Sequence, residues 1–207
     1  AQGYEDRNDT TVVAKFKSVD MPNTYFLAWT TTPWTLPSNI ALCVNADEDY
    51  VKVLANGEYY ILAKALLGAH FKDGEYEIVD TFKGKTLEYK KYVPLFDFVG
   101  EKEASKGYYV TCDPYVTLTD GTGIVHIAPA FGEDDSNVGR KYNLPFIQLV
   151  DKFGKFTSNC GKYAGEDVFT KNDEIVEDLR AVGKVFKSQK HVHSYPHCWR
   201  CHSPLIY

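Results

Sequence analysis

A chain of 207 residues that is 44% hydrophobic, 14% aromatic and 25% charged has the size and mixture of one globular domain with room for a small appendage. That composition excludes a disordered or fibrous protein; no apolar run approaches the ~20 residues of a membrane span, and no secretory signal pattern opens the chain. The formal charge of -5, from 23 basic against 28 acidic residues, argues against a protein that grips nucleic acid mainly through phosphates.

Residues 11–19 and 24–29 are rich in β-branched and aromatic side chains, the first with partial alternation, and predict two strands. Pro33 and Pro37 interrupt the next stretch, TTTPWTLPSN, so a shaped loop is expected between Thr30 and Asn39. Strand resumes near 50–54, and Asn56-Gly57 is a hairpin signal leading into YYILA. Residues 64–71 predict a short helix, and 75–82, 86–93 and 107–112 predict further strands. Gly121-Thr122-Gly123 precedes the apolar strand IVHIA, closed by Pro129; 134–142 suits a short helix and FIQLV at 146–150 another strand. The clearest helix covers 170–182: Thr170 can cap it, acids crowd its first turns, Ile175, Leu179 and Val182 share a face, and Gly183 ends it. The sum is an α+β chain, strand-dominated, expected to form a barrel-like sheet with peripheral helices.

Two segments carry chemistry. Thr30, Thr31 and Thr32 place three hydroxyls on an irregular backbone, which suits a site that orients a water and a ribose. Hydroxyls bonded locally along a strand edge fit the same residues. In GTGIVHIAPAFGEDD (121–135), Gly121, Gly123 and Gly132 permit close approach of a ligand, and His126 sits in a strand. Glu133, Asp134 and Asp135 cluster where a helix begins; an acid there either caps the helix or grips an ammonium group, and spacing does not choose. The sequence has no G-x-S-x-G elbow, no H-E-x-x-H and no G-K-[ST] loop, and no cysteine in a nucleophile's context. A hydrolase built from these residues is expected to use a positioned water and the substrate's own groups.

The same segments carry a resemblance. WTTTPWTLPSN followed by GTGIVHIAPAFGEDD is similar to the editing (CP1) domain inserted in isoleucyl-tRNA synthetases, class I aminoacyl-tRNA synthetases. HSYPHCWRCHSPLIY (193–207) resembles the strand returning to their catalytic core. The likeness runs from about residue 11 to the end and keeps the motif order. Leucyl and valyl relatives carry an Arg after two threonines, where this chain has Thr32-Pro33-Trp34, and valyl enzymes usually have Lys in place of His126. The resemblance implies a β-barrel-rich fold that hydrolyses valine from mischarged tRNA. It implies Asp135, Thr31 and Thr32 as catalytic residues, with Asp135 anchoring the α-ammonium. Thr30 and Asn39 join the threonines around the terminal adenosine and the water, while Trp34, Thr35, His126, Phe131 and Tyr195 form the side-chain pocket. One methylene is worth only ~1–3 kcal/mol of discrimination, a figure for which these enzymes are themselves the standard case, so a second sieve is needed.

The resemblance further implies residues 1–190 as the editing domain and 191–207 as the returning segment, with mischarged tRNA and the rest of a synthetase as partners. A start at Ala1-Gln2-Gly3, without an initiator Met, is likewise expected of a piece of a longer protein. Cys198-x-x-Cys201 supplies two zinc ligands where a structural site wants four, and reads as half of a four-cysteine site in the full-length parent; editing itself needs no cofactor. Cys43, Cys112 and Cys160 read as reduced thiols of a cytoplasmic protein. The lysine clusters 83, 85, 90, 91 and 184, 187, 190 read as solvated faces before phosphate contacts. Two alternatives stand beside editing of valine: a leucyl- or valyl-type editing domain, and a non-catalytic tRNA-binding module.

Overall fold

The architecture comes from a computed structural model that describes the backbone of residues 2–198 and the side chains of residues 10–189. Among the described residues nine strands form two sheets. They are β1 (Gln2–Lys17), β2 (Thr24–Thr30), β3 (Ala41–Val44), β4 (Asp49–Ala55), β5 (Glu58–Ala63), β6 (Glu77–Lys83), β7 (Tyr109–Cys112), β8 (Val125–Ile127) and β9 (Val185–Cys198). The larger sheet has the order β6-β4-β5-β2-β1-β9 and the smaller β7-β3-β8, and among the described residues only the β2/β5 and β3/β7 pairs are parallel.

Alternation along β1 and β2 explains the layering. Val12, Ala14, Phe16, Phe26 and Ala28 point into a large core shared with the small sheet, while Val13 and Leu27 point to a second core with Val51, Val53 and Leu62. A 3-10 helix, Lys64–Ala69, closes that second core with Leu67, next to Phe71. Helix α1 (Glu101–Ala104) is a single turn; α2 (Glu133–Lys141) and α3 (Asn172–Ala181) cover the large core through Val138 and through Ile175, Val176 and Leu179. No described helix is long and apolar enough to cross a membrane.

The α+β class holds, but the expected barrel does not form. Among the described residues β6 and β9 are edge strands, so the six-stranded sheet is open. Other expectations shift for local reasons. The proline segment is a buried 3-10 helix, Pro33–Ser38, with proline at its start, where the missing N–H costs nothing. No strand fills 86–93: Tyr89 adopts φ +68°, and only Lys91 and Tyr92 make isolated bridges. FIQLV is coil apart from an isolated bridge of Val150 to Phe156, and its Ile147, Leu149 and Val150 are buried, so its apolarity reports depth more than extension. Thr170 bonds Asp167 O instead of capping α3, and Val182, past the helix end, is exposed.

Candidate active site

Three segments close around a cavity of about 410 Å3: the end of β2 with the threonine loop, the glycine turn before β8, and the step from β8 into α2. Thr30, Thr31, Thr32, Thr35, His126, Phe131 and Asp135 all line it. The hydroxyls bond locally and face the cavity at once. Thr32 N–H donates to Thr30 Oγ1 at 3.1 Å, Thr35 Oγ1 donates to Thr32 O at 2.8 Å, and the Thr30–Thr32 and Thr32–Thr35 hydroxyls lie 3.3 and 3.4 Å apart.

His126 is held from behind. Asn39 Nδ2 donates to Ala41 O at 2.9 Å, which fixes its carboxamide, and its other proton faces His126 Nδ1 at 3.1 Å. Nδ1 is therefore the acceptor, and Nε2–H donates to Thr35 Oγ1 at 2.8 Å. Burial pushes the imidazole pKa down to about 4, so the ring is neutral. With both nitrogens engaged inside the protein, His126 offers the cavity no free proton acceptor.

Asp135 stands in the first turn of α2, where the helix N-terminus favours an anion. Its Oδ2 accepts Ala128 N–H at 2.9 Å, and Gly132 makes room for Oδ1, which a Cβ there would approach to 2.9 Å. Burial nevertheless raises its pKa, with the neighbouring Asp134 adding to the rise and the backbone N–H donors opposing it. Asp134 and Glu133 are exposed and do not line the cavity. A half-buried carboxylate with little local compensation is suited to receive a cation.

Two expected site residues stand back from the cavity. The Trp34 ring is buried against Phe131 and Phe169 while its backbone N–H donates to Asn172 Oδ1 at 2.9 Å, and Asn39 lies behind His126. Tyr195 pairs with Glu5 in the β1/β9 ladder, but its side chain lies outside the described residues, as do the side chain of Cys198 and all of Cys201. The domain division expected at 190/191 falls within β9. Among the described residues no group of three or more His, Cys, Asp or Glu is placed to hold a metal. Cys43, Cys112 and Cys160 are free and buried. Of the lysine clusters, Lys83 pairs with Asp49 at 3.0 Å, and Lys184 and Lys187 bond backbone carbonyls of Leu95 and Ala69.

Trp29, Tyr115 and Asp120 also line the cavity, and sequence reading missed them. Trp29 carried a usable signal, since it immediately precedes the threonine run in a strand. It packs over Gly121, where a φ of +72° strains any other residue and an added Cβ would come within 3.2 Å of the indole. Thr122 anchors the same turn, its Oγ1 donating to Leu27 O at 2.6 Å.

Comparison with known proteins places this geometry. The fold is similar to a crystal structure of GlLeuRS-CP1 (TM-score 0.65, 15% identity, 86% of this chain and 97% of that one). It is also similar to the P. knowlesi cytosolic leucyl-tRNA synthetase editing domain (TM-score 0.60, 12% identity, 90% and 97%). By architecture, then, this chain has the fold of those CP1 and editing domains. In sequence it is 51% identical over 207 residues to the isoleucine–tRNA ligase of Clostridium acetobutylicum and 44% identical over 208 to that of Fervidobacterium pennivorans, matching all or nearly all of its own length. Over its whole length the chain is thus homologous to one stretch of isoleucine–tRNA ligases, and it spans about a fifth of the curated relatives it matches (20% and 22%). No protein-family model matches it.

Proposed function

We propose that the cavity hydrolyses the ester between a misattached valine and the 3′-terminal adenosine of tRNA(Ile). The observation that carries this reading is the convergence of the threonine hydroxyls and the Asp135 carboxylate on one cavity beside a His126 that has no free nitrogen. In this reading Asp135 pairs with the α-ammonium and thereby fixes the ester carbonyl. Thr31 and Thr32, with Thr30, hold the ribose and the attacking water. The water oxygen bonds to the carbonyl carbon, the bond to the ribose oxygen breaks, and the proton passes to that oxygen, releasing valine and intact tRNA. A neutral His126 with both nitrogens engaged cannot be the base, so the substrate's free ribose hydroxyl relays the proton. His126, Thr35 and Phe131, with Trp34 and Tyr195 outside them, bound the side-chain subsite, and Asn39 acts through His126.

The same proposal sets the chain in a cytoplasmic isoleucine–tRNA ligase whose remainder supplies the tRNA-body contacts that an acidic domain lacks. Residues 191–207 return toward that remainder, and zinc would belong there, through Cys198 and Cys201. The test is deacylation of Val-tRNA(Ile) and Ile-tRNA(Ile) by this chain. Selective hydrolysis of the valyl ester is expected; hydrolysis of neither would leave a tRNA-binding module, and a preference for another amino acid would leave a different editing specificity.

A further inference from the structure

The polar line behind His126 begins deeper than the site itself. Tyr92 and Asn39 are buried, at 2% and 3% exposure, and neither lines the cavity. The Tyr92 ring is clamped edge-on by Phe16 and Tyr108, with centroids 5.3 and 5.8 Å away, a setting in which phenylalanine would pack as well. A hydroxyl in such a place costs desolvation unless it is bonded. Tyr92 O–H donates to Asn39 Oδ1 at 2.5 Å. With Oδ1 occupied there, the NH2 of Asn39 is divided between Ala41 O at 2.9 Å and His126 Nδ1 at 3.1 Å, with Ile127 O farther off at 3.5 Å.

We infer that Tyr92 is a positioning residue for the cavity: by occupying Asn39 Oδ1 it holds the carboxamide with its NH2 toward His126, which locks the imidazole as the Nε2–H tautomer, oriented on Thr35. The inference rests on the proposed role of His126 as a wall of the side-chain subsite. Without the phenol, either orientation of the Asn39 amide leaves a buried group unpaired. With NH2 toward His126, Oδ1 has no donor. With Oδ1 toward His126, Ala41 O loses its Asn39 donor while Nδ1–H becomes the favoured tautomer. The two arrangements then lie close in energy, and the ring is no longer held in one setting.

The test is Tyr92→Phe in the whole chain, with Tyr108→Phe as the control that alters the same aromatic cluster without touching Asn39. Nitrogen-15 NMR of the histidine rings, with His126 assigned by its absence in His126→Gln, reads the tautomer directly. Wild type and Tyr108→Phe should show protonated Nε2 and bare Nδ1 near neutral pH, and Tyr92→Phe a mixture. Hydrolysis of Ile-tRNA(Ile) relative to Val-tRNA(Ile) should rise about tenfold in Tyr92→Phe only, the scale on which one methylene is discriminated. A folded Tyr92→Phe chain with the wild-type ring signature overturns the inference. A wild-type His126 protonated on Nδ1 also overturns it, even if the variant does not fold. A wild-type chain that hydrolyses neither ester defeats the editing reading, while the ring spectra still decide the relay.

Discussion

On the β2–β8 side of the cavity, Thr35, His126, Asn39 and Tyr92 have their donors and acceptors engaged with one another, whereas on the α2 side Asp135 holds a charge against few local partners. The first wall is rigid and neutral; the second is charged and under-compensated. A wall of the first kind can reject a ligand by shape, because moving it breaks several buried bonds at once. A wall of the second kind can bind an ion, because the ion supplies what the fold withholds. Under the proposed function, selectivity and anchoring fall to opposite sides, and each should be removable without the other.

The largest expected effect breaks the charged wall. Asp135→Ala should lower valyl-tRNA deacylation by roughly two orders of magnitude or more, since truncating one partner of a buried charge pair leaves the ammonium unpaired. The fold should persist, because Asp135 contributes one backbone bond to it. Asp134→Ala, on an exposed side chain, should change the rate little. If the two variants exchange these outcomes, the anchor is Asp134.

How much of this contrast the sequence discloses depends on contiguity. The threonine loop and residues 121–135 are legible because each is an uninterrupted run whose neighbours in sequence are its neighbours in the cavity. Spacing left a helix cap and an ammonium grip open at this cluster, and the resemblance implied Asp135 over Asp134; at the helix start Asp135 is half-buried and lines the cavity while Asp134 is exposed. Tyr92 reaches Asn39 across 53 residues and Asn172 reaches Trp34 across 138, so neither carries a local pattern. The fold follows the same rule. The alternation in β1 and β2 is a local consequence of a two-sided sheet, while 86–93 and 146–150 fail as strands because a left-handed Tyr89 and a buried coil are set by tertiary packing.

Breaking the rigid wall should have a smaller effect on rate and a distinct one on selectivity. His126→Ala opens space beside Thr35, which in the proposed editing site should relieve a clash that excludes isoleucine's extra methylene. Hydrolysis of Ile-tRNA(Ile) should rise about tenfold or more, with valyl hydrolysis falling only modestly. Stability should drop by about 2–3 kcal/mol from the cavity and the buried Asn39 donor left unpaired, read as a lower denaturation midpoint. Lost stability with unchanged selectivity in the folded variant would make His126 purely structural and leave Trp34 and the threonine loop to define the subsite.

The smallest effect is the sharpest test of the contrast, because the two walls should respond to pH with opposite sign. His126 has a folded pKa of about 4 against an ordinary 6.5, so the unfolded chain takes up its proton first as pH falls. Its stabilisation is present above the ordinary value and is lost on acidification through the folded one, up to about 3 kcal/mol at the acid end of that window. Asp135 has a raised folded pKa, so its contribution is most favourable below the ordinary carboxylate value and is lost as pH rises through the folded one. Ionised Asp135 therefore weakens the fold at neutral pH. Asp135→Asn, which keeps an oxygen for Ala128 N–H, should raise Tm slightly near neutrality while abolishing deacylation. His126→Gln should reduce the loss of Tm on acidification between about pH 6.5 and 4, leaving the part due to His70, whose pKa burial also lowers. Thermal unfolding of the wild type and both variants across that range decides the matter. A neutral-pH Tm of Asp135→Asn below wild type would mean that the carboxylate stabilises the fold, and the charged wall would then be no different in kind from the neutral one.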